Sequence, residues 1–365
     1  MWTGGGTAGM YRPAGRAAAV RGASGRRATV GTRMRRSTAL IALAALAAAL
    51  STATAARADD GRAPRSPEVV PLRFAWPDRV EARVTFRRTL ATTGAPDRSL
   101  SGRWSLFAGR DPDGRIRLRT ADAEWDGNLP FPAGFAGQAI RAQEKVAEIV
   151  DADGAFVALD GLDPMRAVLA KIYDLAAVDR GSAERAVILA EAGMVDEAET
   201  LWNLEVGFWA GADLELGEAY ELESEGEPPL LRGTRAAQSL EFRVRRRVPC
   251  TAQDRAPRCV ELTLRATPDP AILRRVGQAL LRELEPRGAS APGKLRVVAA
   301  EDELFLVTDP ATLLPQDLVW TRTIHAAVEG EHPRELEWAE RTVYAYRYAS
   351  PAATSPHRGP RTAAR

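Results

Sequence analysis

Two runs of strict period-two alternation, one on each side of a polar loop, constrain this chain to antiparallel strands more firmly than anything else in it. Leu240, Phe242 and Val244 alternate with Glu241, Arg243 and Arg245, and Val260, Leu262 and Leu264 alternate with Glu261, Thr263 and Arg265. Successive side chains of a strand point to opposite faces, so each run buries one face and wets the other. Joined by a short loop, they predict a hairpin with one buried face.

The same grammar recurs along the chain. Val80, Ala82, Val84 and Phe86 alternate with Glu81, Arg83, Thr85 and Arg87. Trp104, Leu106 and Ala108, then Ile116 and Leu118, flank Asp111-Pro112-Asp113-Gly114, which has the chemistry of a hairpin turn. Asp151-Ala152-Asp153-Gly154 joins Val146–Val150 to Phe156–Leu159 in the same way. Neither D-x-D-G segment continues into the third ligand and distal Glu of a calcium loop, so both read as turns. The C-terminal part predicts strands at Leu295–Val298, Leu304–Val307, Leu318–Val328 and Leu336–Tyr348, the last with Tyr344, Tyr346 and Tyr348 on one face.

Helices interrupt this pattern. Asp163-Pro164 starts one whose stripe is Met165, Val168, Leu169, Ile172 and Leu175, and Asp269-Pro270 starts another with Ile272, Val276, Leu280 and Leu284. Between them, Ser182 to Gly211 predicts two short helices broken near Gly193. The fold class expected is α+β: a curved, mostly antiparallel sheet, open like a half-barrel, with inserted helices. It occupies residues 72–348, as one sheet or as two packed halves, 72–233 and 234–348. A short echo, strands followed by Asp-Pro at Asp163 and again at Asp309, raises the thought of a duplication.

The address lies at Met34. Arg35 and Arg36, an uncharged run from Ala39 to Leu50 and the small-residue motif Ala56-Arg57-Ala58 form a signal peptide over 34–58, cut between Ala58 and Asp59. Residues 1–33 read as a non-native or disordered extension, 59–71 as a flexible arm and 349–365 as a disordered tail. The apolar run is shorter than the roughly 20 residues of a spanning helix, and no later uncharged run reaches that length, so no membrane span is expected in the mature chain. The chain carries +2 overall, but residues 1–58 hold nine Arg and no acid, leaving 41 basic against 48 acidic residues, or −7, after cleavage. Nucleic-acid binding is not expected of such a surface. Only Lys145, Lys171 and Lys294 among the 50 basic residues are lysines; this bias, with the abundant Ala, reads as coding in a GC-rich, Gram-negative bacterium.

Export to the periplasm or beyond makes Cys250 and Cys259 a disulfide, since no C-x-x-C redox spacing or further metal ligands accompany them. Directly paired residues share a face, so an even-numbered residue cannot oppose Cys259 in the same unbroken ladder. The bridge must sit beyond the ladder or across a bulge near Arg246 or Val248.

From Val80 to Asp163, the succession Val84-Thr85-Phe86, Leu100-Ser101-Gly102-Arg103-Trp104-Ser105-Leu106 and a strand crossing Asp153-Gly154 resembles periplasmic lipoprotein-carrier domains. It is similar also to exported bacterial proteins of unassigned function. The resemblance implies an open half-barrel enclosing helices, with a concave apolar surface able to hold an acyl chain. The central helices and the cysteine hairpin have no counterpart in it, and no binding residue carries over.

No H-E-x-x-H, G-x-S-x-G or Gly-rich phosphate loop occurs after Asp59, and no catalytic residue, metal ligand or cofactor is assigned. His325, His332 and His357 are the only histidines. The acids Asp213, Glu215, Glu218, Glu221, Glu223, Glu225 and Glu227 read as the wet face of a strand and its turn. Aromatics carry the sharper signal: Trp202, Phe208 and Trp209 in one helical stretch, and Phe131 and Phe135 in a Pro-rich loop. They are core, or they contact an apolar ligand or partner. The expectation is an exported, non-enzymatic protein that binds a lipid, another hydrophobic ligand or an envelope partner in a concave sheet. A carboxylate- or His-dependent hydrolase and an envelope scaffold without ligand are the alternatives.

Overall fold

The structure, a computed structural model, describes residues 18–22, 27–30, 67–127, 134–176, 178–226, 236–273, 294–329 and 333–349. The predicted cleavage site at Ala58 and Asp59, Phe131, His332 and His357 lie outside the described residues, as does the stripe beyond Leu273. In chain order the strands are β1 (Ala18–Gly22), β2 (Arg27–Val30), β3 (Val69–Pro71), β4 (Arg79–Thr92), β5 (Ala95–Arg110), β6 (Ile116–Gly127), β7 (Ala147–Val150), β8 (Phe156–Asp160), β9 (Asp213–Glu215), β10 (Ala219–Gly226), β11 (Ala236–Val248), β12 (Cys259–Pro268), β13 (Lys294–Thr308), β14 (Pro315–Glu329) and β15 (Arg334–Tyr348). The helices are α1 (Ala136–Gln143), α2 (Asp163–Leu175) and α3 (Arg180–Trp202), the last running into a π-helical turn, Asn203–Gly207.

Eleven strands make one curved antiparallel sheet in the order β10-β11-β12-β13-β14-β15-β4-β5-β6-β7-β8, and its two edges do not meet. The hairpin β1–β2 extends the β10 edge, and β3 pairs with β9 in a small second sheet. The pairing of β15 with β4 stitches the C-terminal strands to the first long strand, so the sheet runs without a break across 72–233 and 234–348. Asp163-Pro164 opens a helix whereas Asp309-Pro310 sits in the β13–β14 turn.

Parity organises the sheet. Across most of it the even-numbered residues face the concave side: Phe86 pairs with Tyr344, Tyr344 with Leu318, Leu318 with Leu306 and Leu306 with Leu262. Bulges at Val244/Arg246, Val297/Ala299 and Leu90/Thr92 each add a residue to one strand, which deepens twist and curvature. One mouth of the concavity is filled by Val70, Leu72, Trp76, Val206, Trp209 and Leu313. Leu72 N–H donates to Ala212 and Arg73 N–H to Pro310, so the segment after β3, within the span read as domain, closes this end. The other end holds a smaller core of Ile324, Ala326, Leu336, Trp338 and Leu273. Helices α1 and α2, with Met194 of α3, form a lobe with a core of its own: Ala139, Ala142, Met165 and Val168.

The cysteine hairpin forms as parity required. The bulge at Val244/Arg246 slips the register so that even-numbered Val248 opposes Cys259, and Cys250, past the last pair, bridges Cys259 with a Cα–Cα distance of 4.9 Å. Both D-x-D-G segments are turns, with Gly114 at φ +85° and Gly154 at +89°. Two expectations are corrected. Helix α3 passes unbroken through Gly193, where the roughly 1 kcal/mol cost of a helical glycine is absorbed by Ala, Glu and Met neighbours. The strands expected at 295–298 and 304–307 are one strand, β13, bent at its bulge rather than interrupted.

Candidate functional site

The concave face is apolar at its ends and polar in its middle. Glu340, Arg322 and Asp302 lie side by side on β15, β14 and β13. Arg322 Nε is 3.4 Å from Asp302 Oδ1, and its guanidinium lies 4.8 Å above the Trp320 ring. Arg88 of β4 joins the row, its Nε 3.0 Å from Glu340 Oε1 as an ion pair rather than an aligned hydrogen bond, and its Nη2 3.4 Å from Glu197 of α3. Burial would lower the Arg88 pKa, but Glu340 and Glu197 more than offset it and hold the guanidinium charged. Burial raises Asp302 to about 6 although Arg322 opposes the shift.

Next to this row stands a box of aromatic rings. Phe86, Trp104, Trp125 and Tyr344 meet with centroid distances of 5.1 to 6.3 Å, and Trp104 and Trp125 stack at 5.5 Å with 25° between planes. Trp125 is odd-numbered and by simple parity belongs on the convex face. The bulge opposite Arg103/Ser105, where Asp122 takes φ +54° and its carboxylate accepts from Ser105 Oγ at 3.2 Å, reverses that parity. Trp125 then lies across Gly102, where a Cβ would come within 2.7 Å of the ring, so only glycine lets the indole lie flat on the sheet. Phe86 and Tyr344 are buried, but Trp104 and Trp125 remain part-exposed.

Two acids face the same space. Glu205 sits in the π-helical turn after α3, where one extra residue per turn is a frequent mark of functional sites. It is buried, and the Tyr346 hydroxyl donates to its carboxyl. Burial pushes Glu205 up to about 8; the Tyr346 hydrogen bond opposes the shift and the Glu148 charge adds to it. Glu148 of β7, opposite Leu118, is pushed up to about 7 by burial alone. Some of its surface still meets solvent, but its carboxyl lies deep in the concavity, and depth governs the desolvation. Burial, reinforced by Glu205, also raises the Tyr344 and Tyr346 hydroxyls. The arrangement therefore offers phenols and carboxyls that burial keeps partly or mostly protonated beside apolar rings, a surface that hydrogen-bonds without carrying full charge near neutral pH.

The aromatic residues singled out from sequence are packed around this site. Trp202 and Trp209 are buried at 2% and 1% exposure, and their indole N–H groups donate to the carbonyls of Gly154 at 2.8 Å and Leu204 at 2.9 Å. Phe208 packs edge-on against Trp209 and Phe242. Phe135 caps α1 and packs in the helical lobe. His325 is exposed on the convex side of β14, and Glu221, Glu223 and Glu225 are exposed on β10, with three strands between, so these groups share no cleft. Among the described residues no cluster of His, Cys, Asp and Glu is placed to hold a metal ion, and no helix is long and apolar enough to cross a membrane. Glu148, Glu205, Arg88 and Trp125 were not singled out from sequence. A signal existed for Glu205, a lone acid between Leu204 and Val206 in an aromatic stretch.

No protein-family model and no curated protein matches the chain. A solved structure concerned with lipid–protein interactions in lipovitellin aligns with 76% of this chain and 26% of its own, at 10% identity and a TM-score of 0.39. This chain thus spans about a quarter of the lipovitellin chain. The β domain of the Bordetella autotransporter Brka aligns over 74% of this chain and 99% of its own, at 9% identity and a TM-score of 0.17. At these scores neither likeness assigns a ligand.

Proposed function

We propose that this is an exported, non-enzymatic binding protein that holds the apolar part of a lipid or similar ligand against the concave sheet, between the aromatic box and the helical lobe. One observation carries the reading: Trp104 and Trp125, stacked on the concave face among buried neighbours, stay part-exposed, while α3 reaches over the same face to Arg88 through Glu197. Large rings left uncovered inside a concavity are surface that a ligand can bury at about 25 cal/mol per Å². Arg88 and the carboxyls of Glu148 and Glu205, both pushed up by burial, would meet the polar end. The disulfide and the leader at Met34 support an oxidising compartment.

The test is quenching of tryptophan fluorescence by 9,10-dibromostearate added to the purified full chain. Saturable quenching is expected, and Trp104→Phe with Trp125→Phe should remove most of it. Absence of quenching, together with no retained lipid by native mass spectrometry, overturns the reading.

A further inference from the structure

The convex face carries a second, unrelated feature. Near the Asp111–Gly114 turn a shallow notch of about 620 Å³ opens over β4, β5 and β6, lined by Arg79, Phe107, Gly109, Arg110, Arg117 and Arg119, with Glu81 and Asp111 at its margin. Its floor is Gly109, which pairs with Arg79 on one side and Arg117 on the other. A Cβ at Gly109 would meet nothing within 4 Å, so the missing side chain is what opens the notch. Adjacent strands stand about 4.8 Å apart, which places Arg79 and Arg117 roughly 10 Å apart at Cα, close enough for their long side chains to converge above the glycine.

The arginines differ in what they already hold. Arg117 contacts Asp111 at 3.2 Å and Asp160 at 2.6 Å. Arg110 pairs with Asp78 at 3.3 Å and donates to the Gly114 carbonyl at 2.9 Å. The side chains of Arg79 and Arg119, both exposed, make no hydrogen bond or close ion pair to a described residue, although Arg119 lies near enough to Asp160 for its charge to help hold that carboxyl down. The other notch on this face, lined by Arg243, Arg245 and Arg265, provides the contrast, since each of those is paired with a glutamate, at 2.6 Å for Arg243 with Glu241 and 2.8 Å for Arg245 with Glu261. Arg79 beside the glycine floor and Arg119 beside Phe107, diagonally across the notch and both without a close partner among the described residues, match an anion whose organic substituent lies on Phe107, itself 39% exposed. Guanidinium presents paired donors that suit phosphate oxygens.

We infer that the notch over Gly109 binds a phosphate-bearing group through Arg79 and Arg119, with Phe107 against the organic part. The group is either the headgroup of a phospholipid or a soluble phosphate ester. Glu81, exposed at the margin and pairing with Phe107 across the strands, weakens the site and limits its affinity.

The experiment measures binding of the full chain to glycerol 3-phosphate by calorimetry, and to vesicles of phosphatidylcholine with and without phosphatidylglycerol by co-sedimentation. Arg79→Ala with Arg119→Ala should weaken binding roughly tenfold or more, Gly109→Leu should abolish it by filling the floor, and Glu81→Gln should tighten it. Arg103→Ala, which removes a charge of the same face at the Glu124 pair, should leave it unchanged. Binding of the ester alone identifies a soluble phosphate ester as the ligand, and binding of vesicles alone identifies a headgroup; either supports the site if it follows the variants. No binding of either probe, or equal losses in Arg103→Ala and the double variant, overturns it. Dibromostearate quenching, read in parallel, reports the concave site separately.

Discussion

Burial favours the protonated form of Glu205 in the folded chain, and this has a measurable cost as pH rises. Its carboxyl is pushed up to about 8 by burial, and that of Glu148 to about 7, both above the ordinary carboxylate range near 4.3. A raised folded-state pKa means that the folded chain binds more protons than the unfolded one between the two values. Stability from these groups is fully present below the ordinary value and is lost as pH rises through the folded one. Urea midpoints should therefore fall between pH 5 and pH 8, and Glu205→Gln should flatten that slope by up to about 1.4 kcal/mol per pH unit. A variant with the wild-type slope would show that Glu205 ionises freely. Gly154 is a second single-residue control point. Its φ of +89° disfavours any side chain, and a Cβ there would lie 2.7 Å from the Phe74 ring, whereas Gly94, at φ +77°, has nothing within 4 Å. Gly94→Ala should cost about 1 kcal/mol from the backbone alone. Gly154→Ala should cost about 1–3 kcal/mol more, since Phe74 and the Trp202 hydrogen bond to Gly154 both have to shift. Equal losses in urea unfolding would mean the Phe74 contact relaxes freely.

Single extra residues in strands decide what the elements present. Asp122 supplies the bulge that turns Trp125 into the concavity. Deleting Asp122 should restore unbroken parity and carry Trp125 to the convex face. Iodide quenching of Trp125, part-exposed in the concavity, should then strengthen, and the gain should vanish when Trp125→Phe is added. An unchanged iodide-accessible fraction would mean the strand re-forms the bulge elsewhere. The same logic explains which elements were legible in the sequence. The hairpin around Cys250 and Cys259 was, including its bulge, because the parity of Val244, Val248 and Cys259 admits few solutions. The three tyrosines of β15 were, because alternation is local. Trp125 was not, since its face depends on an αL residue that no pattern announces. Glu148 and Glu205 were not, because what makes them unusual is burial by distant parts of the chain; Tyr346 lies 141 positions from Glu205. Helix α3 was misjudged at Gly193 because a glycine in a helix is a modest penalty, and a 23-residue helix rich in Ala, Glu, Arg, Leu and Met outweighs it. Helix α1, with only Ala139 and Ala142 buried, has too thin a stripe to be seen.

At the scale of the whole molecule, the sheet and the helical lobe are held by different amounts of buried surface. The large core spans both edges of the sheet and takes in β3, β9 and the π-helical turn, and β15 bonds along its length to both β14 and β4. The lobe rests on four buried side chains and a surface clamp, Arg166 with Glu191 at 2.5 Å through both Nε and Nη2, and exposed pairs of this kind contribute little in water. Segments with few buried apolar contacts open at lower free energy than the elements of the main core. Amides of α1 and α2 should thus exchange with deuterium through an opening that leaves β14, β15 and β4 protected. Adding dibromostearate should slow that exchange, because a ligand seated between the lobe and Trp104 and Trp125 stabilises the closed arrangement by mass action. Exchange of helix and sheet amides at one common rate, with or without the probe, would mean that the lobe is an inseparable part of the sheet's core, and the concave face would then have no route by which a ligand enters under it.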